Sequence, residues 1–338
     1  MLMLRTETLQ QLAAPFGYSA EDASLIGASQ NLVYRIGKPP NKCVLRISAN
    51  RHLTVALVEA ELKWMQRLSH AGFNVCLPVP ANDDRHVVET TIDKDHYITT
   101  CFEHAPGICT RRKDADEAFF VRFGELTGKL HAFACEDRAW QSQLARPQWH
   151  ASRLLNEDVA RMQGVIDPAF EPALRSLMNE LKQHPCLDNN HGLLHGDLGF
   201  GNLFDDGQNL WLIDFDNCEF GHFLQDLSVI LYDSIYYKAL YDCPIQDTLA
   251  TMQRYWHAFL KGYQAHTPLN RIDTQVLSKY FLLREALLYV YFFWAIPSEK
   301  QDERFRQDQR QKIANLVNSD HHVNIVAITQ NQTHIAIR

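Results

Sequence analysis

The stretch His195-Gly196-Asp197-Leu198-Gly199-Phe200-Gly201-Asn202, followed by Asp214-Phe215-Asp216, gathers residue types on which chemistry depends. Short apolar runs (Gly192 to Leu194, Leu203-Phe204, Leu210 to Ile213) deliver three polar side chains, Asp197, Asn202 and Asp214. Asp205-Asp206-Gly207-Gln208-Asn209 is dense in turn formers between two apolar runs and predicts a hairpin loop. Centred near Gln208, the hairpin sets Asn202 opposite Asp214 at its open mouth, with Asp197 just ahead on a glycine-loosened loop. An amide oxygen beside a carboxylate suits Mg²⁺, which takes oxygen ligands and keeps several waters. A further carboxylate can orient a hydroxyl nucleophile and accept its proton. The chemistry such a set serves is transfer of a phosphoryl group from a nucleotide. An ordinary solvated loop is the plain alternative, because Asp and Gly both favour turns. The joint spacing of His-Gly-Asp, Asn and Asp-Phe-Asp weighs against it.

This segment resembles the catalytic loop and metal-binding segment of the aminoglycoside phosphotransferase and choline kinase family. The family pattern is His-Gly-Asp-x-x-x-x-Asn followed by Ile-Asp-Phe-Asp, and the resemblance runs over roughly residues 24–295, strongest at 191–228. It implies an α+β, two-lobed protein-kinase-like fold, with a small antiparallel β N-lobe carrying one main helix and a larger, mostly helical C-lobe. Residues 1–103 would form the nucleotide-binding lobe, 104–107 the hinge, and 108–338 the catalytic and acceptor-binding lobe. The resemblance also implies Asp197 as catalytic base, Asn202 and Asp214 as Mg²⁺ ligands, and His195 and Asp226 as supports of the catalytic loop.

The elements that must position these groups can be read in outline. Residues 5–15 predict a short helix ended by Pro15-Phe16-Gly17, and Ser24 to Ile36 a strand, a small-residue turn and a strand. Cys43 to Ile47 adds a third strand, whose alternation puts Val44, Arg46 and Ser48 on one face. The turn from Gly27 through Ser29 to Asn31 is either a plain hairpin or a cover for phosphates through backbone N–H groups. Its similarity to Gly-x-x-x-Asn-x-x-Tyr in the family favours the cover. Arg46 stands where the family carries a phosphate-holding lysine; arginine also binds phosphate, and a surface arginine on an edge strand is the alternative. Leu57, Val58, Leu62, Met65 and Leu68 recur at helical spacing. Likeness to the family at Glu61-Leu62-Lys63-Trp64-Met65 picks Glu61 as the partner that orients Arg46. Strands at 85–89 and 96–102 then lead to Glu103-His104-Ala105-Pro106-Gly107. In the family, backbone groups here, Glu103 and Ala105 in this chain, meet the adenine edge, which leaves ATP and GTP undistinguished.

Helices are expected over Asp116–Phe133, Phe170–Leu181, and about 224–237, 245–265, 273–295 and 300–317. His131 is expected to pack or cap. Asp216, Glu219, Asp233 and Asp242 are candidates to line an acceptor pocket suited to an amine-bearing alcohol, Asp216 and Glu219 foremost. Eleven residues separate Asp214 from Asp226, too few for the activation segment of eukaryotic-type protein kinases; this favours a small-molecule acceptor. His184, His191 and His195 lack a rigid helix to align them, so zinc is not expected. Val323–Ile328 and Thr333–Ile337 alternate like a terminal hairpin, which would add a sheet edge, mediate a homodimer, or fray.

The 338 residues, 46% hydrophobic and 22% charged, have the composition of an ordinary globular protein. A net charge of −7 argues against a dedicated nucleic-acid binder or an anionic-membrane partner. Eight scattered cysteines without a Cys-x-x-Cys pair suggest free thiols in a reducing cytoplasm. The longest uncharged apolar run, Ala286 to Ile296, is shorter than the roughly 20 residues that span a bilayer, and no basic-then-apolar leader is seen. The expectation is a cytoplasmic enzyme using ATP or GTP with Mg²⁺. Two other readings stay open: a bacterial Ser/Thr protein kinase of the stress-response type, and a non-catalytic nucleotide-binding regulatory module, toward which Arg46 leans.

Overall fold

The computed structural model describes residues 4–39, 41–49, 53–185, 189–268 and 273–319; the expected terminal hairpin lies outside the described residues. In chain order its elements begin with α1 (Thr6–Ala13), β1 (Ser24–Ala28), β2 (Leu32–Ile36), β3 (Cys43–Ser48), α2 (Val55–His70), β4 (Pro78–Val79), β5 (Val88–Ile92) and β6 (Asp95–Glu103). There follow β7 (Ile108–Cys109), α3 (Glu117–Glu136), α4 (Arg138–Gln141), α5 (Val159–Arg161), α6 (Phe170–Gln183), β8 (His191–Leu193), β9 (Leu203–Asp205), β10 (Leu210–Leu212) and β11 (Phe220–His222). The last described elements are α7 (Phe223–Val229), α8 (Tyr237–Asp242), α9 (Thr248–Tyr263), α10 (Thr274–Ala295) and α11 (Glu303–Val317). These elements form two compact units. One comprises Met1–Ile108, Leu144–Arg146 and Leu203–Asp216, and the other the remainder.

The first unit is an antiparallel sheet in the order β1-β2-β3-β6-β4, with β5 also on β6. β3 pairs on both sides, Leu45 with Tyr34 and with Cys101. Its alternation sends Leu45 and Ile47 into a core shared with Leu9, Leu12, Leu32 and Tyr34. Arg46 lies on the opposite face, where α2 supplies Glu61. Thr54 starts α2, its Oγ1 accepting the Leu57 N–H at 3.3 Å. The strand expected at 85–89 begins only at Val88. Asp83 accepts the Arg85 N–H and Asp84 takes a positive φ of 65°, so the chain there is still a tight turn. β9 and β10 form the expected hairpin, but its register is one half-step off. Leu203 faces Leu212, Asn202 sits in a single 3₁₀ turn before the ladder, and Asp214 follows it. Asp206 fixes that register by accepting the N–H groups of Gln208 and Asn209. The hairpin is tied to the rest of its unit by the Leu212 N–H donating to Asn74 O at 2.9 Å.

The second unit is built on α3 packed against α9. Their backbones come so close that a Cβ on Gly124 would lie 2.9 Å from Tyr263 N, which only glycine avoids. Asp116 caps α3 by accepting the Phe119 N–H at 2.8 Å. The amphipathic α6 buries Phe170, Leu174, Leu177, Met178 and Leu181. β8 pairs antiparallel with β11. The helix expected at 224–237 is not uniform: between α7 and α8 it widens into π geometry over Ile230–Tyr236, which carries Asp233. α10 is apolar nearly all round, yet no helix among the described residues is long and apolar enough to cross a membrane. The seven described cysteines are free thiols.

Candidate active site

In the first unit a narrow cavity of about 140 Å³ is lined by apolar side chains, among them Val33, Val44, Met65, Phe102 and Phe204, by Glu103–Ala105, and by Arg46, Glu61 and Asp214. Arg46 and Glu61, 5% and 1% exposed, meet through two parallel hydrogen bonds of 2.7 Å. The guanidinium also sits 5.0 Å from the Phe102 ring centroid and 3.7 Å from Asp214 Oδ1. Burial works against its charge, but Glu61, then Asp216 and Asp214, outweigh that and hold it above its ordinary value. Asp214 is exposed and has φ of 62°, a left-handed conformation that costs a non-glycine residue on the order of 1 kcal/mol. Such strain persists where the surrounding structure enforces it.

Around this cavity the remaining first-unit candidates make structural contacts. Asn31 donates to Asp216 Oδ2 at 2.9 Å and accepts the Ser48 hydroxyl at 2.6 Å. Gly27 pairs with Val33 beside a bulge in β1, and the Ser29 N–H donates to Asn31 O at 3.2 Å. Glu103 accepts the Leu77 N–H on its side chain at 3.1 Å.

In the second unit, β8 runs into the loop His195–Asn202. Gly196 takes φ of 82°, and a Cβ there would collide with the Asn217 carbonyl. The fully buried Asp226 accepts the N–H groups of His195 at 3.0 Å and Gly196 at 2.9 Å. His131 Nε2 lies 3.5 Å from the same carboxylate. The His131 ring stacks on Phe223 at 4.3 Å, and its Nδ1 is 2.9 Å from the Tyr263 hydroxyl. Burial would raise the Asp226 pKa, but His131, His195 and the Gly196 N–H prevail and hold it below the ordinary value. The loop therefore rests on a carboxylate fixed by α7 and braced from α3 and α9.

At the loop's centre, Asp197 is held from two sides. Arg284 Nη2 donates to its Oδ1 at 2.5 Å, while Asn202 Nδ2 donates to its carbonyl at 2.8 Å and its Oδ2 at 3.2 Å. Arg284 also pairs with Asp233. Burial lifts the Asp233 pKa above its ordinary value, against the pull of Arg284. Asp197, Asn202, Asp233 and Arg284 face one cavity of about 610 Å³, whose wall includes Thr110, Arg111, Arg112, Lys113 and Tyr241.

The structure thus groups Arg46, Glu61, Glu103, Ala105 and Asp214 around one cavity, and Asp197 with Asn202 around the other. Asp216 and Glu219 line neither. Asp216 is bonded to Asn31, and Glu219 accepts from Gln225 at 2.5 Å. Asp242 is taken by Lys238 and Tyr255. Sequence reasoning missed Arg284 and the basic run 111–113. Both left signals: Arg284-Glu285 is a charged pair between the apolar runs Tyr280–Leu283 and Ala286–Ala295, and Arg111-Arg112-Lys113 is a compact cluster in an acidic chain.

An antiparallel sheet unit with a buried Arg–Glu pair and a helical unit with a braced Asp-x-x-x-x-Asn loop define a kinase-like phosphotransferase. The model of the phosphotransferase enzyme family matches residues 23–269, and the chain belongs to that family. It is 26% identical over 291 residues to amicoumacin kinase of Bacillus subtilis (strain 168), covering 84% of this chain and 83% of the relative. Among solved structures it resembles amicoumacin kinase hAmiN in complex with AMP-PNP, Ca²⁺ and Ami, with TM-score 0.83, 20% identity, and 95% and 96% of the two chains covered. A microcompartment-associated aminopropanol kinase follows at TM-score 0.69 and 20% identity, covering 99% of each chain. A spectinomycin phosphotransferase gives TM-score 0.60 at 14% identity over 98% of each. The α+β, protein-kinase-like fold implied by the resemblance at 191–228 is the fold of this chain.

Proposed function

We propose that this phosphotransferase moves the γ-phosphoryl group of ATP to a hydroxyl of a small molecule in a Mg²⁺-dependent reaction, with Asp197 as catalytic base. The observation that carries this reading is the posture of Asp197: on the wall of an open cavity, with one oxygen held by Arg284 and the other by Asn202.

The residues fit the groups that the family implies. The first-unit cavity combines apolar walls, suited to a planar base, with an arginine suited to phosphate oxygens. Asn202 and Asp214 offer the amide and carboxylate oxygens that a hard divalent cation takes. With Asn202 Nδ2 given to Asp197, its Oδ1 is the atom left for a cation. When bound, the cation would neutralise charge on the phosphoryl oxygens.

The protein's own work is positioning. Glu61 orients Arg46 toward phosphate, the Gly27–Asn31 turn with Ser29 covers the phosphates, and backbone groups of Glu103 and Ala105 meet the base edge, with GTP an equal fit. His195 and Asp226 hold the catalytic loop, and Asp197 orients the acceptor hydroxyl and takes its proton. On this reading residues 1–103 form the nucleotide lobe, 104–107 the hinge and 108–338 the catalytic lobe. A small-molecule acceptor is supported by the short Asp214–Asp226 spacing and by relatives named for amicoumacin and aminopropanol.

The test is Asp197→Asn. Turnover should fall on the order of 10³-fold, with ATP affinity by calorimetry within about twofold of the parent. Undiminished turnover in that variant would remove Asp197 from its role.

A further inference from the structure

The second-unit cavity carries an excess of positive side chains. Four cationic side chains line it (Arg111, Arg112, Lys113 and Arg284) against two carboxylates, Asp197 and Asp233. Both carboxylates are bonded to Arg284. The run 111–113 is exposed. Arg111 pairs with Asp114 at 3.0 Å. The Arg112 guanidinium lies 4.9 Å from the Tyr237 ring centroid, which fixes its place on the cavity wall. A basic cluster here is not the average surface of a chain with net charge −7. A second observation points the same way: Thr110, on the same wall, is 8% exposed, and its hydroxyl has no hydrogen-bond partner among the described residues.

We propose that the acceptor bears a carboxylate besides the hydroxyl that is phosphorylated, and that Arg112 and Lys113 bind that carboxylate. This rests on the function proposed above and names its substrate class. An ammonium group on the acceptor would meet carboxylates already shared with Arg284, whereas an acceptor carboxylate meets cations exposed on the wall. Arginine and lysine are the groups that recognise carboxylates. The reading departs from the amine-bearing acceptor for which the aminopropanol kinase is named. Rim charges of this kind act through association and are screened by salt, so KM for the acceptor should rise with ionic strength.

The experiment gives the full-length enzyme ATP, Mg²⁺ and matched pairs of hydroxy acids and their primary amides, with amino alcohols alongside, and measures ADP release. The expected result is a kcat/KM about tenfold or more higher for an acid than for its amide. In Arg112→Ala/Lys113→Ala that ratio should collapse toward one, and Lys113→Arg should retain it. Equal use of acid and amide by the parent enzyme, or turnover of amino alcohols alone, overturns the proposal and leaves the kinase reading standing. Equal losses on acid and amide in the double variant, with a raised KM for ATP, would assign the two cations to the nucleotide and also overturn it. No ADP release with any hydroxyl compound would strike the kinase reading itself, and this proposal with it.

Discussion

In the first unit, Arg46 meets Glu61 through two parallel hydrogen bonds, with Asp214 at 3.7 Å beside them, and both members of the Arg46–Glu61 pair are buried. In the second, Arg284 divides itself between Asp197 and Asp233 on the wall of an open cavity. The residue types are the same, and each arginine faces two carboxylates, but the geometry and the surroundings differ. The buried pair is matched bond for bond, and removing Glu61 leaves Arg46 in a medium that solvates it poorly, with Asp214 at 3.7 Å. Arg284 divides its bonds between two carboxylates that remain partly open to solvent. Exposed cations and room for a ligand lie beside that triad. Access and bond geometry, rather than the presence of an ion pair, distinguish the two arginines here.

The contrast can be broken most forcefully at Glu61. Glu61→Ala should cost about 3–5 kcal/mol of stability in a denaturant or thermal melt, because Arg46 is left buried without its bidentate partner. A loss near zero would mean that the pair is not closed.

A smaller effect is expected at Asp226. Asp226→Asn should cost about 2–3 kcal/mol at neutral pH, since a charged acceptor for two backbone N–H groups is lost. The Asp226 carboxylate has its pKa held below the ordinary 3.8, so its stabilisation is complete above that value and is lost as pH falls through the lowered one. The gap between parent and variant should therefore narrow in melts taken below about pH 4, and a gap independent of pH would show that the charge is not what braces the loop.

The gentlest probe is Arg46→Lys, which keeps the charge and installs the residue the family usually carries here. It surrenders one of the two parallel bonds to Glu61, so a loss of about 1 kcal/mol is expected in the same melts. A gain would mean that the bidentate geometry is strained.

How far the sequence foretold these features depended on chain distance. Asp197 and Asn202 were legible because five residues of glycine-rich loop bring them together without help from elsewhere. Arg46 was legible because strand alternation fixes its face, and the family likeness at Glu61 supplied the partner. Arg284 was not, because it reaches Asp197 from 87 residues away, through the packing of α10 on α7 and the π segment. The hairpin was correct in kind and half a step off in register, because the hydrogen bonds made by Asp206 set the loop and composition alone does not count them. The acidic pocket drawn from Asp216, Glu219, Asp233 and Asp242 reduced to Asp233, since the other three side chains are engaged elsewhere. Charge alone says nothing of who has already claimed a carboxylate.

The way the polypeptide is shared between the units has a practical consequence for dissecting it. Leu203–Asp216 belongs to the first unit but is flanked on both sides by stretches of the second. No single cut of the polypeptide releases either unit whole. A fragment stopping near Ile108 would forfeit Asp214 and Asp216, and with them the carboxylates that Arg46 and Asn31 face. Terminal truncation would therefore produce incomplete pieces whose failure to bind says nothing about the intact unit; a circular permutant, or a fragment carrying the 203–216 hairpin on a designed linker, is the form in which the first unit can be studied alone.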